Sequence, residues 1–345
     1  MDVRTMDGCF HKKVLYDPIN IDLPLDKYFV YESCPRNELV GLQMRHLVEL
    51  DDPVVLPEVR SSFVSLAKQI RRMMGQPTVK DKRKIVNSYT GGKKKVYERA
   101  LQELEDYGLD HRDTQISAFV KIDKMLFEGK SKPRIIQARS PKFNLEIGQY
   151  IKPIEKLVYR YKHRKFGRVC AKTLNAYQRA EILREKWEKK RNPVAVMLDF
   201  SSFDAHVHEF LLRLQHKAYS IANPSKEFKA LLKLMINNHG VTRGGIKYTC
   251  IGRRMSGDSD TASGNCFIVI ALMNMMNEDY ISDGDDVVFV VEQDDLDKFF
   301  TRLNNILGGL KMPVTISVAH EFGQIRFCQS GPVKLSSGWK MCLIH

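Results

Sequence analysis

Two acidic patterns stand out by residue type and spacing. The stretch DFSSFD carries Asp199 and Asp204, and Asp283-Gly284-Asp285-Asp286 gathers three carboxylates around one glycine. Carboxylate oxygens suit a hard divalent cation, and magnesium fills its remaining positions with water and substrate phosphates. Two such ions about 4 Å apart can activate an attacking hydroxyl and steady the leaving oxygen in phosphoryl transfer. An acidic turn alone is a common surface feature. An apolar strand ending in Asp, upstream of an apolar hairpin with an acidic tip, is far rarer.

Between the two patterns runs a polar stretch, GRRMSGDSDTASGN, from Gly252 to Asn265. Ser256-Gly257 reads as a flexible loop entering a helix, and Thr261 and Asn265, at i and i+4, share one face of that helix. Two readings stay open. A hydroxyl and an amide beside Asp204 can recognise a ribose 2′-OH, which both donates and accepts. Alternatively, Ser256 or Asp258 caps the helix, and Thr261 and Asn265 find partners inside the protein. His206 and His208 alternate rather than sit at i and i+4, so they read as ordinary helix-start residues and not as metal ligands.

The elements that must position these groups are clearest after Asn192. Val194–Leu198 is an apolar run after a proline and reads as a buried strand with Asp199 at its end. His206 to Ile221 reads as a helix closed by Asn223-Pro224, and Asp260 to Asn277 as another. Tyr280-Ile281 and Val287–Val291 flank the Asp-Gly turn as a hairpin. Asp294 to Leu307 reads as helix and Val314 to Val318 as strand. This order is an α+β pattern with an antiparallel sheet backed by helices. If the strands are neighbours, Asp199 and Asp285 converge at one rim.

The chain has 345 residues, of which 43% are hydrophobic and 28% charged, which allows a sizeable core and argues against disorder. A formal net charge of +14 favours a polyanionic partner through counterion release, although a basic protein can also be merely soluble. Basic residues cluster from Val79 to Ala100 around a Gly-Gly turn, and again from Lys152 to Arg191, where a solvated helix face explains them equally well. Acidic residues collect from Glu278 to Asp297. The seven cysteines are scattered without CxxC spacing, so neither a disulfide framework nor a zinc site is expected, and a reducing compartment is the natural reading. No apolar run reaches membrane-span length and the first residues do not read as a signal peptide, so work at a membrane would need a partner.

DFSSFD, SGDSDTASGN and GDD, in this order, resemble the three palm motifs of positive-strand RNA virus polymerases, and within them the tombusvirus-like replicases. NSYTGGKKKVYERA, AFVKIDK, PRIIQARSPKFNLEIGQYIKPIEK and FCQSGPV add to the likeness, which runs from about Tyr28 to Val333. The resemblance implies an RNA-dependent RNA polymerase with a right-hand fold of fingers, palm and thumb. Residues 1–192 would form an N-terminal region and fingers, 193–210 the first part of the palm, 211–251 a fingers insertion, 252–333 the rest of the palm, and 334–345 a truncated thumb or tail. Asp199 and Asp285, assisted by Asp286, would hold two magnesium ions, which manganese can replace. Asp204 and Asn265 would select ribose with support from Thr261, and Ser256-Gly257 would move with the template. Lys121, Lys124, Arg134 and Arg139 would line the NTP channel. There an arginine offers a bidentate fork to phosphate oxygens and a lysine a compact charge. Phe327-Cys328-Gln329-Ser330 would grip the primer end, and Lys311 is a candidate proton donor to pyrophosphate. Expected partners are template and nascent RNA, NTPs, and a viral membrane-anchoring protein that brings the chain to replication complexes on membranes in the host cytoplasm. The resemblance fixes no oligomeric state. The rivals are a reverse transcriptase or other palm polymerase, against which Asn265 beside Asp204 speaks, and an RNA-binding factor without turnover.

Overall fold

The site rests on a four-stranded antiparallel sheet in the order Asp279–Asp283, Asp286–Glu292, Pro193–Phe200, Val314–Ala319. The computed structural model describes residues 12–14, 28–123, 125–126 and 132–344. Alternation along the strands sends Val196, Leu198, Phe200, Val287, Phe289 and Val291 into the main core, and Ala195, Met197, Ile281 and Val288 into a second one. With both faces covered, the strands read as nearly unbroken apolar runs rather than as a polar alternation.

The main core is closed by the helices Pro57–Met74, Pro141–Arg160, Glu209–Ala222, Thr261–Met273 and Leu296–Gly309. In Thr261–Met273 every residue from Ser263 onward is buried. A helix that is apolar on all sides belongs in an interior, and here it runs beneath the acidic hairpin. The second core lies under the helix Ala176–Glu188 and the C-terminal hairpin Ser330–Leu335 with Gly338–Leu343. That hairpin runs across the boundary expected at residues 333 and 334, so the tail pairs back on its own preceding strand.

A second four-stranded sheet has the order Lys247–Ile251, Asn237–Thr242, Ile116–Val120, Ile135–Ala138, with its middle pair parallel. Lys12–Val14, Tyr28–Tyr31 and Met125–Leu126 make a small third sheet. Among the described residues no helix is long and apolar enough to cross a membrane.

Four local expectations are corrected. The strand runs past Asp199 to Phe200, because Thr315 and Val314 continue the ladder opposite those two residues. The helix expected from His206 is two pieces, Phe203–His206 and Glu209–Ala222. It breaks at Val207-His208, where the imidazole of His208 accepts from the Phe210 N–H at 3.3 Å and caps the second piece. Asp260–Asn277 ends its α-helix at Met273 and finishes as a 3-10 turn. The Gly-Gly pair in the first basic run opens the helix Gly91–Tyr107 instead of forming a turn between elements.

Candidate active site

The acidic hairpin turns through Gly284-Asp285, and Asp283 opposite Asp286 closes its ladder. Gly284 has φ +70°, a backbone state that a glycine adopts without the Cβ clash other residues meet. Val287 pairs with Leu198, so the next position along sets Asp286 beside Asp199 on adjacent strands, both on the Met197 and Val288 face. Burial raises the Asp285 carboxyl above the ordinary carboxylate value; its own backbone N–H opposes that, and the charge of Asp199 adds to it. Burial and then the charges of Asp285, Asp199 and Asp283 push Asp286 up to about 6, against a hydrogen bond with the Cys328 thiol. Asp283 differs. It is nearly buried and pairs with Lys172 and, at 2.8 Å, with Arg179.

None of Asp199, Asp285 and Asp286 forms a direct ion pair among the described residues; Lys172 and Arg134 act on Asp285 only from a distance and offset the burial and the Asp199 charge only in part. No group of three His, Cys, Asp or Glu side chains among the described residues is arranged to hold an ion unaided. An oxygen-only set that leaves coordination positions to water and substrate phosphate suits magnesium better than a closed protein cage.

Beside Asp285 opens a cleft of about 430 Å³. Asp204, Arg254, Ser256, Thr261 and Asn265 line it, whereas Asp199 and Asp286 stand next to Asp285 outside the lining. The two readings left open for the polar stretch divide between its residues. Thr261 is satisfied locally, its hydroxyl donating to the carbonyls of Met255 at 2.8 Å and Asp258 at 2.9 Å. Asn265 reaches across to Asp204, its Nδ2 donating to Oδ1 at 2.8 Å. Burial raises the Asp204 carboxyl, against the pull of that hydrogen bond and of Arg254.

Ser256-Gly257 lies against the strand Ile135–Ala138. The Ser256 hydroxyl accepts from the Gln137 N–H at 3.1 Å, and the Gly257 N–H donates to the Gln137 carbonyl at 2.7 Å. A Cβ on Gly257 would lie 2.5 Å from that of Ala138, so only glycine fits against this strand.

The basic residues fare unequally. Lys121 and Arg134 line the cleft and share Asp123, at 3.0 Å and 3.3 Å. Lys124 lies outside the described residues. Arg139 does not line the cleft: its side chain is fully buried, paired with Asp258 and Asn238, and stacked over Phe143. Its two terminal nitrogens are taken by Asn238 and by Asp258, which follows Ser256-Gly257, so from its buried position it fastens that loop. Lys311 also stands outside the cleft lining, with Nζ 3.9 Å from Asp51. Phe327 and Ser330 exchange backbone hydrogen bonds around Cys328 and Gln329, both at positive φ, and the turn brings the Cys328 thiol against Asp286.

Sequence reasoning missed Arg45 and His46. Both line the cleft at the end of the helix Pro35–Arg45, and the Nε2 of the buried His46 has no hydrogen-bond partner among the described residues. Burial, then the charge of Arg253, lowers His46 to about 3, so this ring is neutral at ordinary pH. A basic helix end was their only signal. Arg254 was also passed over, although an arginine three residues after the strand Lys247–Ile251 and just before two aspartates pointed to a buried ion pair.

Residues 26–344 match a family described as viral RNA dependent RNA polymerase. The RNA-directed RNA polymerase of Turnip crinkle virus is 31% identical over 299 residues, covering 84% of this chain and 39% of that protein. That of Groundnut rosette virus (strain MC1) is 35% identical over 267 residues, covering 74% and 32%. That of Tobacco necrosis virus (strain A) is 37% identical over 261 residues, covering 71% and 36%. The chain therefore spans well under half the length of these relatives.

Proposed function

The chain belongs to the viral RNA-dependent RNA polymerase family, and from that premise we propose that it carries the catalytic core for template-directed nucleotidyl transfer, in which a 3′-hydroxyl attacks the α-phosphate of an NTP on an RNA template. The observation that carries this reading is the carboxylate set of Asp199, Asp285 and Asp286, without a direct ion pair among the described residues, beside a cleft that holds the Asp204–Asn265 pair. Asp199 and Asp285, with Asp286 assisting, would hold two magnesium ions, for which manganese can stand in. When bound, the ions would supply charge stabilisation for the attacking and leaving oxygens.

The chain's own groups do the rest. Asp204 and Asn265 read the ribose. Lys121 and Arg134 reach the triphosphate from the cleft wall, and Arg45 adds a third cation there. Arg139 from behind the surface and Thr261 from the cleft wall hold the Ser256–Asp258 loop in place. In the right-hand scheme the sheet bearing the aspartates is the palm, the second sheet and its helices belong to the fingers, and the C-terminal hairpin stands where a thumb begins. Template and nascent RNA and NTPs are the partners, and a membrane-anchoring viral protein would bring the chain to replication complexes in the host cytoplasm.

The test is primer extension with magnesium on an RNA template, paired with filter binding of the same RNA. Asp285→Ala is expected to abolish incorporation while leaving RNA affinity nearly unchanged. Full incorporation by that variant refutes the assignment.

A further inference from the structure

Asn265 can select a sugar only if its amide is turned the right way. An asparagine side chain has a donor end and an acceptor end, and rotation about its last bond exchanges them. The orientation here has a definite cause. The carbonyl oxygen of Asn265 accepts from Arg254 Nε at 3.0 Å. A guanidinium offers only donors, so the NH2 end must face away from it, toward Asp204.

Arg254 is itself held from every side. It is 1% exposed, and the fully buried Asp260 accepts from its Nη1 at 2.9 Å. Its Nη2 donates to Gln215 Oε1, and Gln215 Nε2 in turn donates to Asp260 at 2.7 Å. The backbone N–H of Arg254 donates to the carbonyl of Asp204 at 2.9 Å, so one residue grips both members of the Asp204–Asn265 pair. The helix leaves room for this arrangement at Gly264. A Cβ there would lie 2.5 Å from Arg254 Nη2 and 2.9 Å from Gln215 Nε2.

We propose that Arg254 is a positioning residue for ribose selection, fixing the Asn265 amide so that Asp204 and Asn265 together present an acceptor and a donor to a 2′-hydroxyl. The proposal rests on the reading that this pair recognises the sugar. With one Asn265 N–H given to Asp204 Oδ1, the other carboxylate oxygen is left to accept from the 2′-OH and the second amide N–H to donate to it. A deoxyribose leaves both groups unpaired in a largely buried place, and a site built for a hydroxyl rejects an analogue that lacks one. Without the Arg254 Nε the amide is free to turn its carbonyl toward the carboxylate, and the site loses its distinction between the two sugars.

Three variants test this through the ratio of kcat/KM for an NTP to that for the matching dNTP, alongside a thermal melt. Asn265→Ala tests the underlying reading. Arg254→Lys keeps a cation beside Asp260 but loses the planar fork. Gly264→Ala removes no polar group and displaces the guanidinium. Asn265→Ala should lower the ratio, and Arg254→Lys and Gly264→Ala should each lower it about tenfold, the loss falling on the NTP. A merely structural role would depress NTP and dNTP use alike and leave the ratio unmoved. An unchanged ratio in both folded variants, with a reduced one in Asn265→Ala, overturns the proposal and leaves the ribose reading standing. An unchanged ratio in Asn265→Ala removes the ribose reading and the proposal together. Should Arg254→Lys fail to fold, the ratio in Gly264→Ala alone decides between the two roles.

Discussion

Asp283 and Asp286 face each other across the last pair of one hairpin, yet they live in opposite electrostatic settings. Lys172 and Arg179 neutralise the first, whereas the second has carboxylates for neighbours and is pushed up to about 6. A carboxyl whose folded value is raised binds more protons folded than unfolded, between its ordinary value near 4 and 6. Its contribution to stability is therefore most favourable below that window and is lost as pH rises through it. Asp286→Asn should then stabilise the protein in the presence of a chelator at about pH 8, by about 1 kcal/mol after allowance for partial exposure and screening, and by little at about pH 4. Thermal melts at the two pH values check this. An equal gain at both would mean that packing, not charge, is responsible. Magnesium should erase the advantage, because an ion bound only by the folded wild type stabilises it by mass action.

At the scale of elements, the polar loop before the Thr261–Met273 helix hangs on a buried ion pair. Arg139 and Asp258 are 0% and 3% exposed at their side chains. Removing one partner of such a pair leaves a charge without solvent, which typically costs about 3–5 kcal/mol, whereas replacing both with apolar side chains is often nearly neutral. Arg139→Met is expected to lose that much in chemical denaturation, and Arg139→Met with Asp258→Leu to recover most of it. A double variant no more stable than the single one would show that the arginine acts through Asn238 or Phe143 instead. The pair also explains why sequence reasoning misplaced Arg139 among channel residues. Its partner lies 119 residues away, and an arginine in a basic stretch looks the same whether it faces a phosphate or an internal aspartate. The aspartate-bearing sheet was legible for the opposite reason, since each strand is an apolar run whose period and flanking turns are local. Asp199 and Asp286 could be put on one face only once the register was known. The helix break at Val207-His208 left no local mark because no Gly or Pro stands there, and the cap comes from a histidine, an uncommon capping residue.

For the whole molecule the question is where the excess of positive charge is available. Much of it is already used: Lys82 pairs with Glu146, Arg83 with Glu105 and Lys94 with Glu98, and in the second basic stretch Lys186 and Lys189 pair with Asp279 and Lys190 with Glu278. The first basic run keeps a surplus, because Lys84, Lys95 and Arg99 are exposed and have no ion-pair partner among the described residues. Lys93, in the same run, stacks over Tyr89 at 4.3 Å. Unpaired cations release counterions when they meet a phosphate backbone, whereas those already held by carboxylates release few, so these three should carry a disproportionate share of RNA binding. For a single strand, the slope of log affinity against log salt changes by about 0.7 for each phosphate contact. Changing Lys84, Lys95 and Arg99 together to glutamine should therefore flatten that slope by about 2, with thermal stability nearly unchanged because exposed side chains contribute little to it. Filter binding of a single-stranded RNA over a range of salt concentrations measures both slopes. If they coincide, RNA is gripped elsewhere, the surplus on these two helices is a solvated face, and the cations of the cleft must carry the electrostatic load.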